Sequence, residues 1–321
     1  MSTIASNESR SASDLSSLSD WARLPAVYEN PERAPSLVEA QEYCRRLARS
    51  HYENFSVATW FLPRSLRQDF FNIYAYCRIS DDLGDETGDP QASLRLLDEW
   101  EAELNACYAG QPRHPVFVAL AETVRTLDIP RQPFADLLKA FRQDQQVTRY
   151  PRFEDLLGYC RYSANPVGHL VLYVCGYRDA GRQALSDFTC TALQLANFWQ
   201  DVTVDLLKDR VYIPIEAMER HGYTLGELFA RRFTPAFGQV MREMVSKARE
   251  LFLIGLPLSG MVDRRLGVDL DLFSRGGMRV LEKIEEQGYD VLSSRPAISR
   301  LERVRLLVGS LARMAFRARA A

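Results

Sequence analysis

Four polar residues in an otherwise apolar stretch, Gln194, Asn197, Asp201 and Asp205, fall at i, i+3, i+7 and i+11. On a helix that spacing places all four on one stripe over about three turns. Far upstream, Tyr74, Arg78, Asp81 and Asp85 keep a similar rhythm, i, i+4, i+7 and i+11. Asp82 lies about 100° off that stripe and reads equally well as a solvated cap. Carboxylates are seldom buried unless paired or bound to metal, and the Tyr, Phe, Trp and Leu around both stripes call for burial. A single acidic stripe is ordinarily a solvated face; two on apolar helices point to one shared cation cluster. Oxygen donors without histidine or thiol partners suit a hard cation such as Mg2+, which takes a few carboxylates, waters and phosphate oxygens. Arg78 and Arg210 would meet the same phosphate as charged donors. Neither a glycine-rich phosphate loop nor a GxGxxG fingerprint is present, so a nucleotide is not indicated. Metal and diphosphate in an apolar, aromatic cavity point to ionisation of an allylic or cyclopropylcarbinyl diphosphate. Aromatic faces would steady the cation, and exclusion of bulk water would let it rearrange before it is quenched.

The elements that must position these stripes read as helices throughout. A serine-rich run over residues 1–20 and the prolines Pro25, Pro31 and Pro35 form a polar tail and an extended lead-in. Ser36 with Glu39 three residues on is a capping box, predicting a helix to about Ser50. Pro63 suits the first turn of a helix from about Arg64 through Ile79, ending at the acidic cluster, with Gly84, Gly88 and Pro90 in the exit loop. Leu94, Leu97, Trp100 and Leu104 keep helical spacing; Pro115 and Pro133 open two more helices, to Leu127 and near Val147. Phe153 to about Cys175 is helical with a kink or break at Asn165-Pro166. Ser186 is a candidate cap for one long helix running to near Lys208, and a short acidic and aromatic helix follows Tyr212-Ile213-Pro214. Pro235–Leu253, Val262–Gln287 and a basic segment after Pro296 complete an all-α chain. We expect one domain from residue 36 to 321, with roughly ten helices around a central apolar cavity.

Composition narrows the classes. A net charge of −2 leaves no basic field for nucleic acid. Cys44, Cys77, Cys107, Cys160, Cys175 and Cys190 form no CxxC pair and sit inside apolar patterns, as small core residues in a reducing compartment. The four histidines show no metal-ligand spacing. No signal-peptide core and no run long enough to span a bilayer is visible, which points to the cytoplasm. The basic C-terminal segment (Arg300, Arg303, Arg305, Arg313, Arg317, Arg319) reads first as a solvated face, with peripheral contact to anionic lipid as the alternative.

Four blocks of this sequence, in order, resemble the squalene/phytoene synthase family. They are Arg78-Ile79-Ser80-Asp81-Asp82-Leu83-Gly84-Asp85, Tyr159 through Gly168, Gln194 through Asp205, and Asp209-Arg210-Val211-Tyr212-Ile213-Pro214. Tyr52 through Ala58, Phe141-Arg142-Gln143-Asp144-Gln145, Ser163 through Gly168 and Asn197 through Asp201 are most similar to its bacterial hopanoid-pathway branch, the HpnC type. The resemblance implies an isoprenoid synthase fold and a hydroxysqualene synthase. Presqualene diphosphate would ionise, rearrange and be captured by water, in squalene and hopanoid biosynthesis. It also implies pathway neighbours that make presqualene diphosphate and reduce hydroxysqualene. The alternative within the family is head-to-head condensation of two prenyl diphosphates, giving presqualene diphosphate, dehydrosqualene or phytoene. A non-catalytic prenyl-lipid binder of the same fold is disfavoured by the intact aspartates.

By resemblance, Asp81, Asp82, Asp85, Asn197, Asp201 and Asp205 hold Mg2+. His51, Phe55, Arg78, Gln194, Arg210 and Tyr212 contact diphosphate, and a salt bridge from Arg210 to Asp205 or Asp209 is its simpler reading. Tyr159 and Tyr74 face the cavity, Tyr159 as the candidate for guiding the cation or passing a proton. Gln200 and Val204 stand where most of the family has Arg and Glu. This loss of charge leads us to expect a site for one diphosphate.

Overall fold

The computed structural model describes residues 33–50 and 63–320, with side chains to 314. Most of the N-terminal tail, and His51 and Phe55, lie outside the described residues. Every named element is a helix: α1 Leu37–Ser50, α2 Arg67–Asp85, α3 Pro90–Tyr108, α4 Pro115–Leu127, α5 Gln132–Gln143, α6 Phe153–Ser163 and α7 Asn165–Val174. Then come α8 Ala180–Gln200, α9 Val202–Asp205, α10 Ile215–Arg220, α11 Leu225–Phe229, α12 Pro235–Gly255, α13 Arg264–Glu286 and α14 Arg300–Ala320. Among the described residues the only β pairing is an isolated parallel bridge between Arg149 and Val211.

Local signals account for most helix ends. The Glu39 carboxylate accepts from the Ser36 amide at 2.9 Å, closing the capping box that starts α1. Ala164, with φ −120° and ψ −48°, breaks the chain between α6 and α7 just before Asn165-Pro166. Three expectations are corrected. α2 does not stop before the acidic cluster but carries it to Asp85, so Gly84 is helical. α8 is capped by Asp179, whose side chain accepts from the Arg182 amide at 2.9 Å, and Ser186 is buried inside it. The helix also ends at Gln200 instead of running to Lys208.

Two apolar cores carry the two stripes. The first packs α1 to α5 around Tyr76, Trp100, Phe117 and Phe134. Tyr76 and Phe134 meet edge-on at 5.0 Å, and Trp100 lies 4.4 Å from Phe117. Each ring so buried stabilises the fold by about 1.5–3 kcal/mol. Their polar ends are satisfied: the Tyr76 hydroxyl donates to the Phe134 carbonyl at 2.8 Å, and Trp100 Nε1 donates to Ser80 Oγ at 2.9 Å. Ile73, Tyr76, Ile79 and Leu83 therefore form the buried face of α2, and Tyr74, Arg78, Asp81 and Asp85 occupy a less buried one.

The second core wraps α6, α8, α10, α12 and α13 around Trp199, Phe237 and Phe252. α8 is its axis and lies directly on α12 at Gly255. A Cβ at Gly255 would stand 2.3 Å from Thr189 Oγ1 and 2.9 Å from the Thr189 backbone nitrogen. That approach brings the two helices together.

Candidate active site

The first acidic wall lies at the C-terminal end of α2. Arg78 pairs with the carboxylate of Asp82, one turn on, and reaches Glu86 at 3.1 Å and Asp81 at 3.7 Å. Asp82 is buried, not a solvated cap. Burial and the neighbouring Asp85 push Asp81 up to about 6, against the pull of Arg78. Burial also works to raise Asp85, but hydrogen bonds from Arg210 and Lys208 outweigh it and hold Asp85 below the usual carboxylate range. Arg210 meets Asp85 Oδ1 at 2.8 Å and Lys208 Nζ meets Oδ2 at 2.8 Å. Arg210 is thus engaged by the opposite wall, not by Asp205 or Asp209; Asp209 pairs with Arg149 at 2.5 Å.

The second wall begins on α8 and continues past its end. Gln194 is half-buried and Asn197 exposed. Asp201 stands at the break, with φ −105° and ψ 16°, and its amide donates to the Asn197 carbonyl at 2.8 Å. Its carboxylate is held by Arg295, with Nη2 3.2 Å from Oδ2. Gln200 turns away and donates to the Pro296 carbonyl at 2.6 Å. Val204 is 44% exposed. Burial and Asp201 push Asp205 up to about 7, eased by Arg210 and Lys208.

An aromatic floor lies between the walls. The Tyr212 and Phe198 rings stack at 3.7 Å with an 8° angle between planes; Tyr159 and Tyr150 lie 5.9 and 5.8 Å from Tyr212. The buried Tyr159 hydroxyl donates to Asp144 Oδ2 at 2.9 Å. Burial pushes Asp144 up to about 7, with Arg210 and the Tyr159 hydrogen bond lowering it and Asp85 and Asp81 raising it. Tyr74 is half-buried, and burial raises its hydroxyl.

The structure therefore brings Asp81, Asp85, Asp201, Asp205, Arg210, Tyr159 and Tyr212 into one electrostatically coupled region. It adds residues to which the sequence pattern assigns no role: Asp144, Lys208, Arg295 and Arg149. Asp144 lies in the Phe141–Gln145 stretch, but nothing in its spacing ties it to Tyr159. Arg295 has no local signal, because its partner is 94 residues away.

The donor set suits a hard cation in kind. Asp81, Asp85, Asp201 and Asp205 offer carboxylates and Asn197 an amide. Among the described residues no three His, Cys, Asp or Glu side chains are gathered closely enough to hold an ion as they stand. Lys208, Arg210 and Arg295 occupy two of the carboxylates instead.

A family profile described as squalene/phytoene synthase matches residues 31–302. The chain belongs to the squalene/phytoene synthase family. It is 30% identical over 289 residues to the 15-cis-phytoene synthase of Synechococcus elongatus, covering 85% of this chain and 92% of that protein. It is 31% identical to the phytoene synthase of Thermus thermophilus, covering 82% and 89%. Among solved structures it is similar to the squalene synthase HpnC of Alicyclobacillus acidocaldarius, with 46% identity, a TM-score of 0.76 and coverage of 79% of this chain and 95% of that one. A dehydrosqualene synthase at 24% identity and a TM-score of 0.78 shares the fold, covering 87% of this chain and 98% of that one. The all-α isoprenoid synthase fold expected from the sequence is thus the fold observed.

Proposed function

We propose that this chain is a hydroxysqualene synthase, converting presqualene diphosphate and water to hydroxysqualene and diphosphate. The observation that carries the reading is the 46% identity to a squalene synthase HpnC, set against about 30% to phytoene synthases. The orientation of Gln200 supports it, since an amide spent on the Pro296 carbonyl adds no cation for a second diphosphate. Arg295 on Asp201 narrows that argument: the wall has a guanidinium, supplied from elsewhere in the chain.

Asp81, Asp85, Asn197, Asp201 and Asp205 would hold Mg2+, which when bound would supply positive charge to offset that of the leaving diphosphate. Asp82, buried and paired with Arg78 as Asp85 is with Arg210 and Asp201 with Arg295, would complete the set. Arg210 and Lys208 exchange Asp85 for diphosphate oxygens, with Arg78, Gln194 and Tyr212 at the edge of that site. The Tyr212 and Phe198 faces steady positive charge after the carbon–oxygen bond breaks. The Asp144–Tyr159 pair takes the proton from the capturing water, a role suited to a carboxyl near pH 7. The substrate would come from an enzyme condensing two farnesyl units, and the product would pass to a reductase. The enzyme would work in the cytoplasm; among the described residues no helix is long and apolar enough to cross a membrane.

The test is incubation with presqualene diphosphate and Mg2+ without reductant, with the product identified by chromatography and mass spectrometry. Hydroxysqualene is expected. Conversion of farnesyl or geranylgeranyl diphosphate to a condensed product without a partner enzyme would establish the alternative.

A further inference from the structure

One face of α14 is apolar and turned to solvent. Leu301, Val304, Val308 and Leu311 are 60, 56, 59 and 36% exposed. At about 100° per residue their spacing confines them to an arc of about 80°. Arg300 and Arg305, both exposed, flank that arc on its two sides, and Arg303 is exposed as well.

The opposite face fixes this orientation. Ser310 and Met314 are buried there. Arg313 turns inward to Asp271 at 2.8 Å, so it does not join the outward arginines. Glu302 pairs with Arg279 at 2.6 Å and with Lys283 at 2.9 Å. Asp271 is 1% exposed, so releasing the helix would leave a buried charge unpaired. Glu302 is the one acid between Arg300 and Met314, and it points inward. The outward face is therefore an apolar centre rimmed by Arg300 and Arg305, which form no ion pair among the described residues, although Glu282 of α13 shares the groove beside Arg305. It lies almost wholly beyond residue 302, where the family match ends, so the catalytic framework does not account for it.

We propose that this face docks on the surface of an anionic lipid bilayer. The apolar stripe enters the boundary between headgroups and acyl chains, and the arginines meet lipid phosphates. A second copy of the chain fits less well. It would bring the same cations, and the one acid of α14 in this stretch, Glu302, is already paired inward. The proposal stands apart from the reaction assigned above.

The test is flotation of the full chain with phosphatidylcholine vesicles, with and without phosphatidylglycerol, at low and high salt. Binding to the anionic vesicles alone, weakened by salt, is the expected result. Val304→Asp with Val308→Asp should abolish it. Arg300→Glu with Arg305→Glu should weaken it by at least about fivefold per arginine. Circular dichroism and turnover unchanged from wild type show that both variants are folded. The proposal is overturned if the wild-type chain does not float with anionic vesicles, or if the Val304→Asp, Val308→Asp variant binds them undiminished. A dimer that this variant dissociates, without vesicle binding by the wild type, would assign the face to a second copy.

Discussion

Asp81 and Asp85 ride on one uninterrupted helix, whereas Asp201 and Asp205 stand at and beyond a helix end. The first wall is set locally. Its positions follow from the helical repeat, and the Arg78–Asp82 pair is one turn long. The second is set by groups from far along the chain: Arg295 on Asp201 and the Pro296 carbonyl on Gln200. Arg210 and Lys208 then leave the second wall to bind Asp85 on the first. A wall built on one helix keeps its spacing whatever surrounds it; a wall at a break depends on what it docks against.

The largest expected effect tests whether both walls serve one reaction. Asp85→Asn and Asp201→Asn should each lower turnover by about 10²–10³-fold with the helical signal retained. Wild-type turnover in Asp201→Asn alongside a dead Asp85→Asn would leave the second wall outside the site.

Next in size is the pH dependence of stability in the metal-free protein. Burial pushes Asp81 to about 6, Asp144 and Asp205 to about 7, and Asp269 to about 8. Between their ordinary value and these raised ones the native state binds more protons than the unfolded chain. Stability should therefore fall as pH rises from about 5 to about 8, read as a falling Tm. Below about 4 the trend reverses, as Asp85 and Asp271, held low by their arginine partners, become protonated. Asp205→Asn should lessen the slope near 7, where Asp144 still contributes, and Asp81→Asn the slope near 6, which separates the walls. A Tm that climbs from pH 5 to 8 would contradict this.

The smallest effect concerns the turn that carries Arg210. Asp209 has φ 55°, a left-handed conformation, and its carbonyl accepts from Arg149. Asp209→Gly keeps that carbonyl and relieves the backbone, losing only an exposed ion pair; stability should shift by less than about 1 kcal/mol. Asp209→Val should be clearly worse, because a β-branched residue resists this conformation. Equal Tm values for the two would remove backbone conformation as the reason.

Much of this molecule is legible in its sequence. The Ser36–Glu39 box, the prolines opening α4, α5 and α12, and the break at Asn165-Pro166 act within a turn of themselves, and each appears where the spacing places it. Two of the expectations that fail are ones a neighbour decides. Ser186 has the chemistry of a cap but is buried near Gly168 on α7, and the stripe from Gln194 to Asp205 has the period of one helix but ends it at Gln200.

The sequence by itself determined the helical class, the two oxygen-rich stripes and the family, because periodicity and motif order are properties of neighbours along the chain. Only the tertiary structure decided that Arg210 and Lys208 answer Asp85, that Arg295 answers Asp201, that Asp144 takes the Tyr159 hydroxyl, and that Arg313 turns inward while Arg300 and Arg305 face out. Those pairings join residues from different elements. Their energies depend on distance and burial, which spacing along the chain does not encode.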